Sequence, residues 1–340
     1  MNTFDKTHPK FTSTEKKQLM IFAAIAYGVT FIMGVLLWYG YKRNIDTGII
    51  PLAQMFYPAA GVMVAYLLTR KGDKLLPKRF FLSYLIITGI VILAAILSIF
   101  LPSDGWKTGL NSILMLGSLL SWLMILLEAG RESRRAYGLN KKNGNTSVFC
   151  VVLFIVLYVL RLALIYALQG EILDVKDSFG GVFSFANMLS LFVNFFVAFL
   201  PFFGEEYGWR YYLQPLLQKR FGLVKGVLLL GLLWGVWHSP LNFFYYSTPE
   251  YGVTSLAGQI ITCVTLGIFM AYTYMKTENI WVPVIIHYLN NNMVALAENY
   301  TENQKQMLGW QEVAMLLVVN GIIFGCFLAS SYFRKQKTKG

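Results

Sequence analysis

The chain has 340 residues, of which 56% are hydrophobic and 14% charged, with a formal net charge of +12. Soluble domains carry about 25% charged residues, and the apolar residues here form runs of the ~20 residues that a bilayer span needs, which excludes a soluble globule. The positive charge sits in short loops between apolar runs, so it reads as a topogenic signal and not as a nucleic-acid footprint.

In chain order, the first 19 residues are polar and lack the apolar core and small-residue cleavage site of a signal peptide. The first apolar run is therefore expected to stay as an anchor. Spans are expected at 20–41, 48–69, 80–101, 110–129, 148–168, 183–204, 222–240, 255–275, 280–297 and 311–333, an all-α bundle of about ten transmembrane helices. With a cytoplasmic N-terminus, 23 of the 29 Lys and Arg fall in cytoplasmic segments. Only Lys42, Arg43, Lys107, Lys176 and Lys305 fall outside, and Arg161 alone lies within a span. The external loop 169–182 carries Glu171, Asp174 and Asp177. This bias predicts N-in and C-in, with Lys42 and Arg43 the one awkward pair.

Cys150, Cys263 and Cys326 all fall in apolar spans at no metal or disulfide spacing, and are expected as small core residues. Gly222, Gly226, Gly231 and Gly235 in the seventh span, and Gly321 and Gly325 in the tenth, permit close helix approach. Internal packing is the expectation for both sets, with a dimer face as the alternative.

Ionisable groups inside spans are costly and usually have a function or a partner. The second half of the chain concentrates them. GEEYGWR supplies Glu205, Glu206 and Arg210; WGVWHSP supplies Trp234 and His238; HYLNNN supplies His287, Asn290, Asn291 and Asn292. Glu206 and Arg210 are four apart and can pair on one helix face, which leaves Glu205 without that cation. A carboxylate so placed in a low-dielectric site is suited to act as a general base near neutral pH. The pattern predicts hydrolysis: Glu205 deprotonates a water, His238 holds the water or shuttles its proton, and His287 with Asn291 donates to an oxyanion. Arg161 is expected to find a carboxylate or carbonyl of the bundle. One difficulty is geometric, because these boundaries put Glu205 and His238 at opposite ends of their spans. The sixth helix is therefore expected to run on to about residue 214, with Pro215 as a stop or kink, or else the seventh span is irregular near Ser239–Pro240.

The ordered set Glu205-Glu206-x-x-x-Arg210, Trp234-x-x-x-His238 and His287-x-x-x-Asn291 resembles the CPBP family, also called Abi or CAAX amino-terminal proteases, which includes the type II CAAX prenyl endopeptidases. Trp234 stands where Phe is commoner. The resemblance covers about residues 190–300, so a catalytic core at 183–300 is expected between motif-free helices at 1–182 and a last helix with a basic tail at 301–340. It implies an intramembrane peptidase whose cavity opens to the cytosol, in a bacterial cytoplasmic membrane. The implied roles are Glu205 as base, His238 as its partner on the water, His287 and Asn291 as oxyanion hole, and Glu206, Arg210 and Trp234 as shapers of the site. It implies no cofactor; zinc on Glu205, His238 and His287 is the alternative, although no H-E-x-x-H is present. The partners expected are membrane lipid and a membrane-associated peptide or protein, lipidated or bacteriocin-like, and no nucleic acid. A catalytically silent scaffold or regulator and a proton-coupled transporter are the competing functions.

Overall fold

The structure is a computed structural model that describes residues 9–128, 130–170, 184–295 and 305–334. The expectations for Lys6, His8, Glu171, Asp174, Lys176, Asp177, Lys335, Lys337 and Lys339 lie outside the described residues. Every described element is helical.

Helix α1 (Ser13–Arg43) opens on a capping box: Glu15 N donates to the Thr12 hydroxyl at 3.1 Å, and Thr12 N to the Glu15 carboxylate at 2.8 Å. It continues through a π segment at Ala24–Val29. Then come α2 (Ile49–Thr69), α3 (Lys78–Phe100), α4 (Gly105–Leu127), the short α5 (Gly130–Ala136) and α6 (Gly144–Gln169). Helix α3 shows how these spans sort their faces. Leu82, Ile86, Ile90 and Leu93 form an exposed apolar stripe, while Phe80, Phe81, Tyr84, Ile87 and Val91 are buried. An exposed stripe of that length is what lipid covers in an integral membrane protein.

The sixth expected span is two helices, α7 (Phe185–Ala198) and α8 (Leu200–Phe221), bent by 69° at Phe199. Pro201 falls in the first turn of α8, where its missing N–H costs least. Then follow α9 (Leu223–Trp237), α10 (Ser239–Phe244), α11 (Gly252–Thr277), α12 (Trp281–Ala295), α13 (Trp310–Ile323), a 3-10 turn at Gly325–Ala329, and α14 (Ser331–Arg334).

Among the described residues six helices are long and apolar enough to cross a membrane, or seven if the bent pair counts as one span. The expected ten exceeds this because α9 and α13 have only 15 and 14 residues, while α12 is described over Trp281–Ala295. At 1.5 Å per residue such helices reach about 21–23 Å, short of the ~30 Å hydrocarbon core.

Polar contacts between distant loops divide the molecule into two faces. On one face Lys219 meets Glu15 at 2.7 Å, Lys142 meets Glu278 at 3.0 Å, and Tyr137 donates to Asp73. On the other, Lys107 meets Asp46 at 3.4 Å and Gln306 N donates to the Tyr246 carbonyl at 2.8 Å. The first group joins only segments expected to be cytoplasmic, and the second only segments expected outside.

The glycines of α9 pack internally. A Cβ on Gly231 would lie 2.6 Å from Val264 Cα, and one on Gly235 2.7 Å from Ile260 Cα, so these positions let α9 and α11 touch backbone to backbone. Gly321 does not follow this expectation, since nothing lies within 4 Å of its Cβ position. Cys150 and Cys263 are buried as expected, but Cys326 is exposed, because the last helix gives way to the 3-10 turn. Arg161 donates from Nε to the side-chain carbonyl of Asn320 at 2.7 Å.

Candidate active site

The site is built on a helical hairpin. Gly222, at φ 88°, turns the chain between α8 and α9 in a conformation that favours glycine. Gly226 lets the two legs close, because a Cβ there would lie 2.6 Å from Gln218 N. Glu205 and His238 stand at nearly equal chain distances on either side of Gly222, so the hairpin brings them to one level. This resolves the difficulty seen in sequence. Helix α8 runs on past the expected residue 214 to Phe221, because a π segment at Tyr207–Leu213 leaves Pro215 in the first turn of the α-helix that follows. The alternative irregularity is present too: α9 ends at Trp237, His238 takes φ −81° and ψ 2°, and Pro240 starts α10.

Two further glycines seat α8. A Cβ on Gly204 would collide with the Met55 carbonyl, and one on Gly208 with the Pro58 ring. The helix therefore lies directly on α2, and the carboxylates beside Gly204 are drawn into the core. Glu205, Glu206 and Arg210 are 2%, 0% and 0% exposed. Such burial is tolerable only with partners at hand.

Those partners form a closed set. Arg210 Nε lies 3.2 Å from Glu206 Oε2, the pair expected from the four-residue spacing. The π segment begins immediately after Glu206, a placement common at functional sites. Glu206 Oε1 lies 2.8 Å from His287 Nδ1. Arg210 sits over the face of Trp234, 4.3 Å from the ring centroid, and its Nη2 reaches Met270 Sδ at 3.3 Å. Trp234 Nε1 donates to Glu205 Oε2 at 2.7 Å. The same indole packs edge-on to His287, with centroids 5.6 Å apart, and lies 6.1 Å from the His238 ring. Trp234 is thus the hub that joins the three runs.

Hydrogen bonding fixes the histidine tautomers. His238 Nδ1 faces the Trp234 carbonyl at 2.9 Å, and a carbonyl only accepts, so Nδ1 carries a proton and Nε2 is left free. His287 Nδ1 donates to Glu206 in the same way, again leaving Nε2. Glu205 Oε1 has no hydrogen bond among the described residues, in contrast to Oε2. Asn291 is one turn beyond His287 and exposed, rather than buried with the other three. Its Oδ1 accepts from Asn290 Nδ2 at 3.0 Å, which leaves its own Nδ2 hydrogens available. Asn292 donates to the Tyr288 carbonyl instead. By helical rise His287 lies about 9 Å along α12 from Trp281, within the apolar layer.

Three neighbours lie beside His238 that the sequence motifs do not assign to the site. Cys263 Sγ lies 4.0 Å from His238 Nδ1, and Ser255 donates to Asn242 Oδ1 at 2.7 Å, while Asn242 Nδ2 donates to the His238 carbonyl at 3.0 Å. The Trp-x-x-x-His and His-x-x-x-Asn spacings give no sign of them, because they come from α10 and α11. Among the described residues no three His, Cys, Asp or Glu side chains are gathered as a metal needs. The alternative zinc set of Glu205, His238 and His287 is not among such groups in the described residues.

Residues 187–293, which contain all three runs, match the family described as type II CAAX prenyl endopeptidase Rce1-like. The chain is similar to CAAX prenyl protease 2 of Methanococcus maripaludis, at 25% identity over 239 residues, covering 66% of this chain and 86% of that protein. No solved structure matches the chain significantly. Through the helices that carry this site, the chain is similar to the CAAX-type (CPBP) protease family.

Proposed function

We propose that the chain is an intramembrane endopeptidase that hydrolyses a peptide bond of a membrane-associated substrate with a water activated by Glu205. The observation that carries this reading is the division of labour between the two carboxylates. Glu206 is consumed by Arg210 and His287, whereas Glu205 keeps one oxygen without a hydrogen bond among the described residues.

Charge balance gives each group a part. Two ionised carboxylates and one guanidinium leave the buried set one positive charge short of neutrality. A second proton on His287 supplies it, and then Nε2–H is a donor while Glu205 remains an anion. In the proposed reaction Glu205 Oε1 takes a proton from water, and the water oxygen attacks the scissile carbonyl carbon. The carbonyl oxygen becomes an oxyanion that accepts from His287 Nε2–H and from Asn291 Nδ2. His238 Nε2 accepts from the same water and orients it. As the tetrahedral carbon collapses, the C–N bond breaks and Glu205 returns its proton to the leaving amine. Trp234 holds Glu205 Oε2 so that Oε1 is the basic oxygen.

The relative's name points to prenylated CAAX peptides as the substrate class. The exposed apolar groove of Phe31, Trp38, Pro240, Phe243 and Phe244 beside His238 offers a surface of suitable chemistry for such a lipid. The test is cleavage of a prenylated CAAX peptide and of an unmodified peptide library by the purified full-length protein in vesicles. Hydrolysis that is lost in Glu205→Gln supports the reading. Turnover retained in that variant overturns the assigned base, and an inert wild-type protein whose cellular role survives Glu205→Gln would favour the scaffold.

A further inference from the structure

Between α4 and α6 a pocket of about 550 Å³ opens at the end of the apolar layer. Arg131, Arg134, Arg135, Lys141 and Lys142 line it, and no carboxylate does. Two of these cations are already engaged. Arg134 donates to the Ile125 and Leu126 carbonyls at 3.2 and 3.5 Å, which caps the C-terminal end of α4, and Lys142 pairs with Glu278. Arg131, Arg135 and Lys141 have no anionic partner among the described residues.

The pocket also has an apolar side. Trp122 and Trp281 line it and stack on each other at 4.8 Å. Leu126 forms its lipid-facing lip and is 68% exposed, and Leu116, Leu119, Leu123 and Leu127 continue that exposed face along α4.

We infer that this pocket binds the phosphate headgroup of an anionic phospholipid, with the acyl chains lying on the exposed leucines of α4. A headgroup supplies the charge that three unpartnered cations lack, as basic pockets at helix ends do for acidic lipids. A soluble phosphate would satisfy the cations but leave the leucine track uncovered. Indole rings at this level suit the boundary between headgroup and chain. The pocket borders the candidate active site without sharing a residue with it, since Trp281 also stacks on Phe203 at 5.7 Å, two residues before Glu205. The inference does not depend on the protease reading.

The experiment reads tryptophan fluorescence of the full-length protein in phosphatidylcholine vesicles. Phosphatidylglycerol with brominated acyl chains should quench more than brominated phosphatidylcholine at equal mole fraction. Arg131→Gln/Arg135→Gln/Lys141→Gln should remove most of that difference, and each single exchange at Arg131 or Lys141 part of it. Lys71→Gln/Lys74→Gln/Lys78→Gln, which removes three cations from another loop on the same face, should preserve it. An unchanged difference in the pocket variants overturns the site. Equal loss in the loop variant would show only a diffuse surface charge, and relief of the quenching by inorganic phosphate would assign the pocket to a soluble anion. Both results overturn the inference.

Discussion

Two arginines sit inside apolar helices of this protein, and their surroundings could hardly differ more. Arg161 is half-buried and answers to a neutral amide, Asn320, which in turn reaches Thr262 Oγ1 at 3.5 Å. Arg210 is fully buried and answers to a carboxylate that also holds a histidine, over a tryptophan that holds a second carboxylate. The first arrangement ties α6 to α13 and stores no proton. The second contains groups that can exchange one. A charge in a membrane span therefore signals chemistry through its partners, and its presence alone signals only that it has been accommodated.

The comparison breaks most easily at Glu205. Glu205→Gln keeps the size of the side chain and its acceptor for Trp234, and removes the proposed base. The expected result is a loss of about 10²–10⁴ in kcat, read as initial rates of peptide cleavage, with an unchanged thermal midpoint. Glu206→Gln should act in the opposite sense. It strips the buried Arg210 of its counter-charge and should cost about 3–5 kcal/mol of stability, read by thermal unfolding in detergent. If Glu206→Gln were as stable as the wild type, the charge balance drawn for the site would be wrong.

Four-residue spacing makes part of this site legible in the amino-acid sequence. It places Arg210 on Glu206, and it puts Trp234 and His238 on one face. What spacing does not give is which atoms meet. The Trp234 carbonyl serves His238, while its ring serves Glu205 across the hairpin, and only the Gly222 turn fixes that register. The π segment at Tyr207–Leu213 and the bend at Phe199 are likewise hidden, because each satisfies contacts with α2 or α4 rather than a local pattern. Asn291 reads as a fourth buried member from its distance to His287, yet one further turn carries it to the surface. The Arg161 partner lies on a helix remote in sequence, where no spacing rule reaches. The bundle class is plain from hydropathy, but the count of spans is not, since an apolar run does not declare whether it forms one full-length helix or a short one followed by a turn.

A finer contrast separates the two glycine sets. Gly235→Ala pushes a methyl against the Ile260 backbone and should cost about 1–3 kcal/mol. Gly321→Ala meets nothing within 4 Å and should stay within about 0.5 kcal/mol of the wild type. Thermal midpoints of the two variants, measured side by side, decide whether α9 and not α13 depends on close backbone approach. Arg161→Met belongs with the milder class, at about 1 kcal/mol and with kcat intact. A fall in kcat there would erase the distinction between the two arginines.

The smallest effect concerns a carboxylate outside the membrane layer. The Tyr137 hydroxyl, helped by the Leu75 N–H, holds the Asp73 carboxyl below the usual carboxylate range. A depressed value means that the folded state favours the ionised form. The resulting stabilisation is fully present above the unfolded value, near pH 3.9, and is lost as the pH falls through the lower folded value. Asp73→Asn should therefore flatten the acid limb of a plot of thermal midpoint against pH below about pH 4 and leave the shape of the neutral region unchanged. No such flattening is expected for Arg161→Met, whose guanidinium stays charged throughout that range in the parent protein. An acid limb that persists in Asp73→Asn would place the titrating group elsewhere and would leave Tyr137–Asp73 as a geometric contact without a share in stability.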